Sequence, residues 1–184
     1  MRMRIEKERT PAGKDDLAIK TGKGGLVDAE FVAQALCLEN GWHEANTLKA
    51  LERWKLEVMT KLQAPNSKLQ RSIKLQNSKG RPKKRTLSAP EWQKKGTEDR
   101  NEEEQKFERM IQGYRKLRRV EGVLRRWSYE GETVLPDDPA PYYRVAVRCG
   151  FETAEEFRKA VAEWRREIRK GYEMIMTNET PAPD

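Results

Sequence analysis

The fold is decided by a stretch near the N-terminus that joins a basic, glycine-rich loop to an apolar helix. It reads Ile19-Lys20-Thr21-Gly22-Lys23-Gly24-Gly25-Leu26-Val27-Asp28-Ala29-Glu30-Phe31-Val32-Ala33-Gln34. Glycine adopts backbone conformations that other residues disfavour, and the start of a helix offers free N–H groups and a partial positive charge. The stretch therefore predicts either a site for an anion or a tight packing joint between the loop and a helix.

The apolar spacing along the rest of the chain predicts an all-α protein. We expect a bundle of about five helices, with a long basic insertion between helices two and three. As one helical domain (1–184), the chain divides into a lead-in with the glycine-rich loop (1–23), helices one and two (24–63), the insertion (64–96), helices three to five (97–176) and a tail (177–184).

Helix one is predicted from Leu26 to Asn40 and is apolar around much of its circumference. One stripe comprises Val27, Phe31, Ala35 and Leu38, and its flank comprises Leu26, Ala29, Ala33 and Leu36. A helix with so little polar surface is typical of a bundle centre. We therefore expect helix one to be the central helix.

The positive charge of the chain is concentrated in the insertion. The whole sequence has a net charge of +8, but residues 64–96 alone carry +9, which leaves −1 for the remainder. Within this segment, a candidate nucleic-acid-binding patch consists of Lys79, Arg81, Lys83, Lys84 and Arg85. A solvated insertion is the favoured interpretation, so nucleic acid is a less favoured partner.

Membrane and secretion signals are missing from the sequence. No apolar run approaches the roughly 20 residues that a membrane span needs, and the first residues lack the apolar core of a signal peptide. We therefore expect a cytoplasmic protein with no membrane partner.

The motifs of a self-sufficient enzyme are missing as well. The glycine-rich loop does not fit a phosphate-binding P-loop, and no dinucleotide-binding, zinc-protease or paired-cysteine motif occurs. His43 is the single histidine, so neither a metal site nor a nucleophile–base pair can be assembled around it. Asp28 and Glu30 would point about 200° apart on a helix. We predict no catalytic residue, no metal site and no cofactor within this chain.

One charged residue of helix three lies where an apolar residue is expected. Glu121 falls on the apolar stripe, and Arg118 lies one turn before it. Because an unpaired buried carboxylate is costly, we expect Arg118 to pair with it, joined by a polar group of helix one, where Glu30 and Gln34 share a face. The sequence thus predicts a buried polar network of Glu30, Gln34, Arg118 and Glu121, with a structural role favoured over catalysis.

The opening stretch closely resembles a signature of glutamine synthetase adenylyltransferases, which opens their helical domain. The matching residues are Lys20-x-Gly22-x-Gly24-Gly25-Leu26-x-Asp28-x-Glu30-Phe31-x-x-Gln34, with Ala29 in place of the family's isoleucine. Further matches follow in the family's order: Asn46-Thr47-Leu48, Tyr114-x-x-Leu117-Arg118-x-x-Glu121, Leu135-Pro136 and Ala146-x-x-x-Gly150-Phe151. The likeness covers most of the chain outside the insertion.

The resemblance implies a helical accessory domain from the C-terminal half of such an enzyme. These enzymes transfer AMP from ATP to a tyrosine of glutamine synthetase, or remove it, under control of glutamine and the PII protein. Their metal-binding Gly-Ser…Asp-x-Asp motif lies in a preceding nucleotidyltransferase domain, and neither part of it occurs here. The chain alone is therefore expected to be inactive, and ATP and Mg²⁺ are implied only for a partner catalytic domain, in cis or in trans.

The resemblance also implies roles for the opening stretch and for partners. Lys20, Lys23, Gly24, Gly25 and Asp28 would contact the nucleotide end of the catalytic domain, with a packing joint as an equal alternative. Glutamine synthetase and PII are the implied partners. The alternative function is a standalone helical bundle that binds nucleic acid or an acidic protein through the basic insertion.

Overall fold

The computed structural model describes residues 2–63, 97–128 and 133–176, in which six helices account for the fold. They are α1 (Arg2–Arg9), α2 (Leu26–Asn40), α3 (Thr47–Gln63), α4 (Thr97–Ser128), α5 (Pro139–Cys149) and α6 (Ala154–Met176). The predicted helices one to five correspond to α2–α6, and the all-α prediction is confirmed. The insertion at 64–96, with its five predicted patch residues, and the tail at 177–184 lie outside the described residues.

A short helix occupies the segment that the sequence analysis treats as a lead-in. α1 ends at Arg9, just before the helix breakers Pro11 and Gly13. Its Arg2 side chain is buried and donates hydrogen bonds to Asp28 and to the carbonyl of Gly22. These partners are distant in sequence, so the local pattern around Arg2 gives no sign of them.

α2 packs against α3, α4 and α6 but is not the central helix that the sequence predicts, because α4 contacts four helices (α2, α3, α5 and α6) and one side of α2 faces outward. The flank identified from sequence (Leu26, Ala29, Ala33 and Leu36) forms the buried face of α2, together with Val32. The other stripe faces outward: Val27 and Phe31 are half-buried, and Leu38 is 84% exposed. Because α2 is apolar on both sides, its sequence alone does not say which side meets the core.

The α4–α6 pair forms the most extensive helix–helix interface among the described residues. Its buried side chains include Phe107, Met110, Ile111, Leu117 and Leu124 on α4 and Phe157, Val161 and Ile168 on α6. α6 begins as predicted, because the Thr153 hydroxyl accepts a hydrogen bond from the Glu156 N–H at 3.1 Å. This pair is the scaffold against which α2 and the glycine-rich loop are held.

An isolated antiparallel bridge between Ala18 and Val134 ties the loop before α2 to the segment before α5. The Leu135 N–H donates to the Leu17 carbonyl at 2.8 Å in the same place. Within the described ranges, no helix is long and apolar enough to cross a membrane.

Candidate functional site

The glycine-rich loop folds back onto the helix that it opens. The N–H of Leu26 donates to the carbonyl of Ile19 at 3.0 Å, and the N–H of Val27 donates to the carbonyl of Lys20 at 3.1 Å. These first-turn donors are the groups that would bind an anion at a helix start. Because loop carbonyls already occupy them, the geometry favours a packing joint over an anion site.

Asp28 is the buried anchor of this joint. Its carboxylate accepts a hydrogen bond from the Gly24 N–H at 2.8 Å and forms an ion pair with Arg2. Arg169 of α6 approaches it to 3.5 Å on the other side. One carboxylate thus links the loop to α1 and α6, and its two cationic partners offset the cost of burying its charge.

Arg165, which lies one turn before Arg169 on α6, also holds the loop. Its Nη2 donates to the carbonyl of Lys23 at 2.9 Å and its Nη1 donates to the carbonyl of Asp16 at 2.7 Å, while the residue is almost fully buried. Gly24 has a φ of +72°, and a Cβ there would overlap the Arg165 backbone carbonyl. The loop passes so close to α6 that only glycine fits.

The five residues predicted to contact a catalytic domain divide into two groups. Gly24, Gly25 and Asp28 are buried inside the chain, whereas Lys23 is exposed and Lys20 is partly exposed. The lysines alone are presented to solvent, and contact with a catalytic domain stays a prediction.

Most of the predicted polar network assembles around Glu121. This buried carboxylate accepts hydrogen bonds from Arg118 at 2.6 Å and Arg125 at 2.9 Å, and the Lys20 ammonium lies 3.5 Å away. Arg118 also donates to Glu30 of α2 at 3.1 Å. The network therefore ties the loop, α2 and α4 together at one place.

The membership and burial of the network differ in part from the prediction. Gln34 is exposed and has no recorded contact with Glu121; it lies about one turn beyond Glu30 along α2. Arg118 is 40% exposed, so only Glu121 is buried. The sequence analysis missed Arg125, although its spacing from Glu121 (i, i+4) is a usable signal, and assigned Lys20 to domain contact only.

The electrostatics of the network keep Glu121 ionised. Burial opposes ionisation, but the hydrogen bond from Arg118 and the charges of Arg118, Arg125 and Lys20 outweigh it and lower the pKa of Glu121 below its usual value. A carboxylate held in this state does not exchange protons near neutral pH. In the part of the chain that the structure describes, no group of His, Cys, Asp and Glu residues could hold a metal ion. The arrangement is suited to positioning helices.

A cleft of about 400 Å³ lies beside the network, between the start of α3 and α4. Arg115 and Arg118 form part of its wall, and both engage carboxylates: Arg115 pairs with Glu52, and Arg118 with Glu30 and Glu121. The cationic wall of the cleft is therefore already neutralised by the chain itself.

The packing joint predicts a large cost for a side chain at Gly24. Gly24→Ala should lower the free energy of unfolding by about 3 kcal/mol or more, since it adds a clash with Arg165 to the backbone strain of a positive φ. Gly13→Ala is the matched control, because Gly13 has a φ of +75° but open space around it; we expect a loss of about 1 kcal/mol. Urea unfolding measures both, and equal losses would contradict the joint.

The network predicts a pH-dependent contribution from Glu121. Because its folded-state pKa is depressed, its stabilisation is present above the unfolded pKa of about 4.3 and is lost as the pH falls through the folded pKa. Glu121→Gln should cost about 2 kcal/mol at neutral pH, less than in a fully buried pair because its partners are partly exposed. The cost should shrink below about pH 4 in urea unfolding.

Glu52→Gln is the control for that measurement, because Glu52 forms a more exposed pair with Arg115. Its cost should stay within about 0.5 kcal/mol. A Glu121→Gln cost that does not change with pH would contradict the assigned ionisation.

Comparison with known proteins places the chain in a family. The family model described as GlnD PII-uridylyltransferase matches residues 1–176, a span that includes all six helices. A search of curated proteins found no match. The family match supports a nucleotidyltransferase-related helical domain of nitrogen regulation and does not single out glutamine synthetase adenylyltransferase. The chain belongs to the GlnD PII-uridylyltransferase family.

Proposed function

We propose that the chain is a helical accessory domain that works against a separate nucleotidyltransferase catalytic domain, in cis or in trans. The observation that carries the proposal is the outer face of α2, formed by Val27, Phe31, Gln34 and Leu38. This face points away from the core, yet three of its four residues are apolar and Leu38 is largely exposed. Apolar side chains that the core leaves uncovered in this way are a candidate site of protein contact.

The charges beside this face suit a partner that handles phosphate groups. Lys23 is exposed at the end of the glycine-rich loop, just before α2 begins, and Lys20 is partly exposed. Arg118 of α4 does not add to this free charge, because it is already paired with Glu30 and Glu121. Cations grouped beside an apolar surface raise the local concentration of anionic ligands, which supports placing the nucleotide end of the catalytic domain here.

For the reaction, we propose transfer of AMP from ATP to a tyrosine of glutamine synthetase, or its removal. The support is the signature from Lys20 to Gln34 together with the matches that follow it in order as far as Phe151. The catalytic domain would bind ATP and Mg²⁺, and glutamine synthetase and PII would be the partners. The name of the matched family offers UMP transfer to PII as the competing reaction.

The docking proposal predicts loss of activity when the α2 face is charged. In a chain joined to a nucleotidyltransferase domain of this family, Leu38→Glu should slow AMP transfer at least tenfold or so, because the interface would have to bury an unpaired carboxylate. Leu56→Glu is the control, since Leu56 is also a largely exposed leucine, on α3, and should leave the rate within about twofold.

The lysines are tested in the same assay. Lys20→Ala combined with Lys23→Ala should reduce transfer, whereas the chain without a catalytic domain should show none. Full activity of both the lysine variant and Leu38→Glu would refute the docking surface.

The identity of the transferred group needs a separate measurement. Labelled ATP with glutamine synthetase and labelled UTP with PII are offered to the joined protein in parallel. Label on glutamine synthetase supports the proposed reaction. Label on PII alone would refute AMP transfer while leaving the accessory role intact.

A further inference from the structure

The outer face of α5 carries a second surface, which the proposed function does not use. Tyr143 and Val147 lie one turn apart and are 47% and 50% exposed. Arg144 and Arg148 lie beside them, also one turn apart and exposed. Together with Trp127 at the end of α4, these residues are called the α5 patch.

Trp127 holds the two arginines of the α5 patch side by side. The guanidinium carbons of Arg144 and Arg148 lie 5.3 Å and 5.7 Å from the Trp127 ring centroid, within the range of cation–π attraction. A guanidinium on an aromatic ring keeps its edge free for hydrogen bonds and loses less freedom on binding. The patch therefore presents two arginines that are already oriented.

The arginines of the α5 patch are not neutralised by the described part of the chain. Arg144 and Arg148 form no recorded ion pair there; the Arg148 Nη1 donates only to the carbonyl of Arg144, at 3.2 Å. Arg119 of α4 adds a third positive charge close to Cys149, at the end of α5.

Several other exposed cations have partners on their own helix. Examples are the pairs Arg53–Glu57 on α3, Lys159–Glu155 on α6 and Arg166–Glu163 on α6. By comparison, no carboxylate of the described residues is paired with the two arginines of the α5 patch.

We propose that the α5 patch is a docking surface for an acidic, amphipathic helical segment of a protein partner. Carboxylates of the segment would pair with Arg144 and Arg148, which bind such groups in bidentate fashion. Apolar side chains of the segment would cover Tyr143 and Val147. Charge complementarity and exposed apolar surface are thus met by one occupant.

The composition of the α5 patch favours a protein over a nucleic acid. Tryptophan, tyrosine and arginine are the residues most enriched at protein–protein interfaces, and lysine, which is depleted there, is missing from the patch. Val147 is aliphatic and offers nothing to a phosphate backbone. The surface is independent of the α2 face, so the two proposals can fail separately.

The test uses the full chain and a labelled synthetic helix of roughly 20 residues with glutamates and leucines on one face. Fluorescence anisotropy should show that Arg144→Glu with Arg148→Glu weakens binding at least tenfold or so. Lys159→Glu with Arg166→Glu is the control; it changes the net charge equally on exposed α6 positions and should weaken binding less than about twofold. Val147→Ser should weaken binding about threefold or more.

A second double variant keeps the test decisive if the charge reversal unfolds the protein. Arg144→Gln with Arg148→Gln removes the charges without adding carboxylates beside Trp127, and thermal unfolding identifies any variant that is no longer folded. If the charge-reversed protein is unfolded, the proposal is judged on the glutamine variant instead. This variant is also expected to bind the labelled helix more weakly than the unchanged chain.

Two results would overturn the proposal. If the α5 and α6 charge reversals weaken binding equally, the labelled helix responds only to the net charge of the chain, which includes that of residues 64–96. Tighter binding of a single-stranded oligonucleotide with the same number of negative charges, lost in the α5 variant, would make the patch a nucleic-acid site.

Discussion

The buried carboxylate of Asp28 is the interaction on which the rest of the structure depends. It accepts a hydrogen bond from Gly24 and faces Arg2 of α1 and Arg169 of α6. A carboxylate removed from water is tolerated only while such partners remain in place. The start of α2 at Leu26 is therefore stable only in a structure in which the loop, α1 and α6 are together.

The joint determines where the second ionic group forms. With the loop fixed against α6 by Arg165, Lys20 is brought within 3.5 Å of Glu121 on α4. Glu121 also accepts hydrogen bonds from Arg118 and Arg125 of its own helix, and Arg118 donates a further hydrogen bond to Glu30 on α2. The inner face of α2 is thereby committed to the core, and its second apolar face lies on the outside of the described bundle.

The sequence predicts elements well when their signals are local. α2 has the predicted bounds because an apolar run begins after a glycine pair and Asn40-Gly41 ends it; Gly41 has the left-handed conformation of a C-cap. The Arg118–Glu121 pair could be predicted from the sequence for the same reason, since both residues lie on one helix. The exposure of Gln34 and the contact of Arg2 with Asp28 depend on partners that are remote in sequence, so no local pattern reveals them.

The geometry also explains why the signature identifies a nucleotidyltransferase-related helical domain more readily than one particular family or substrate. Gly24, Gly25 and Asp28 are engaged with α1, α6 and their own loop, and the first N–H groups of α2 bond to loop carbonyls. Because the residues of this motif are used in internal packing, the motif indicates how the helical domain is built. The choice between AMP and UMP, and between glutamine synthetase and PII, must then be made by residues that face outward or by the catalytic domain. For this reason, the proposed reaction depends on experiments with both substrates, while the helical architecture follows from the apolar spacing along the chain.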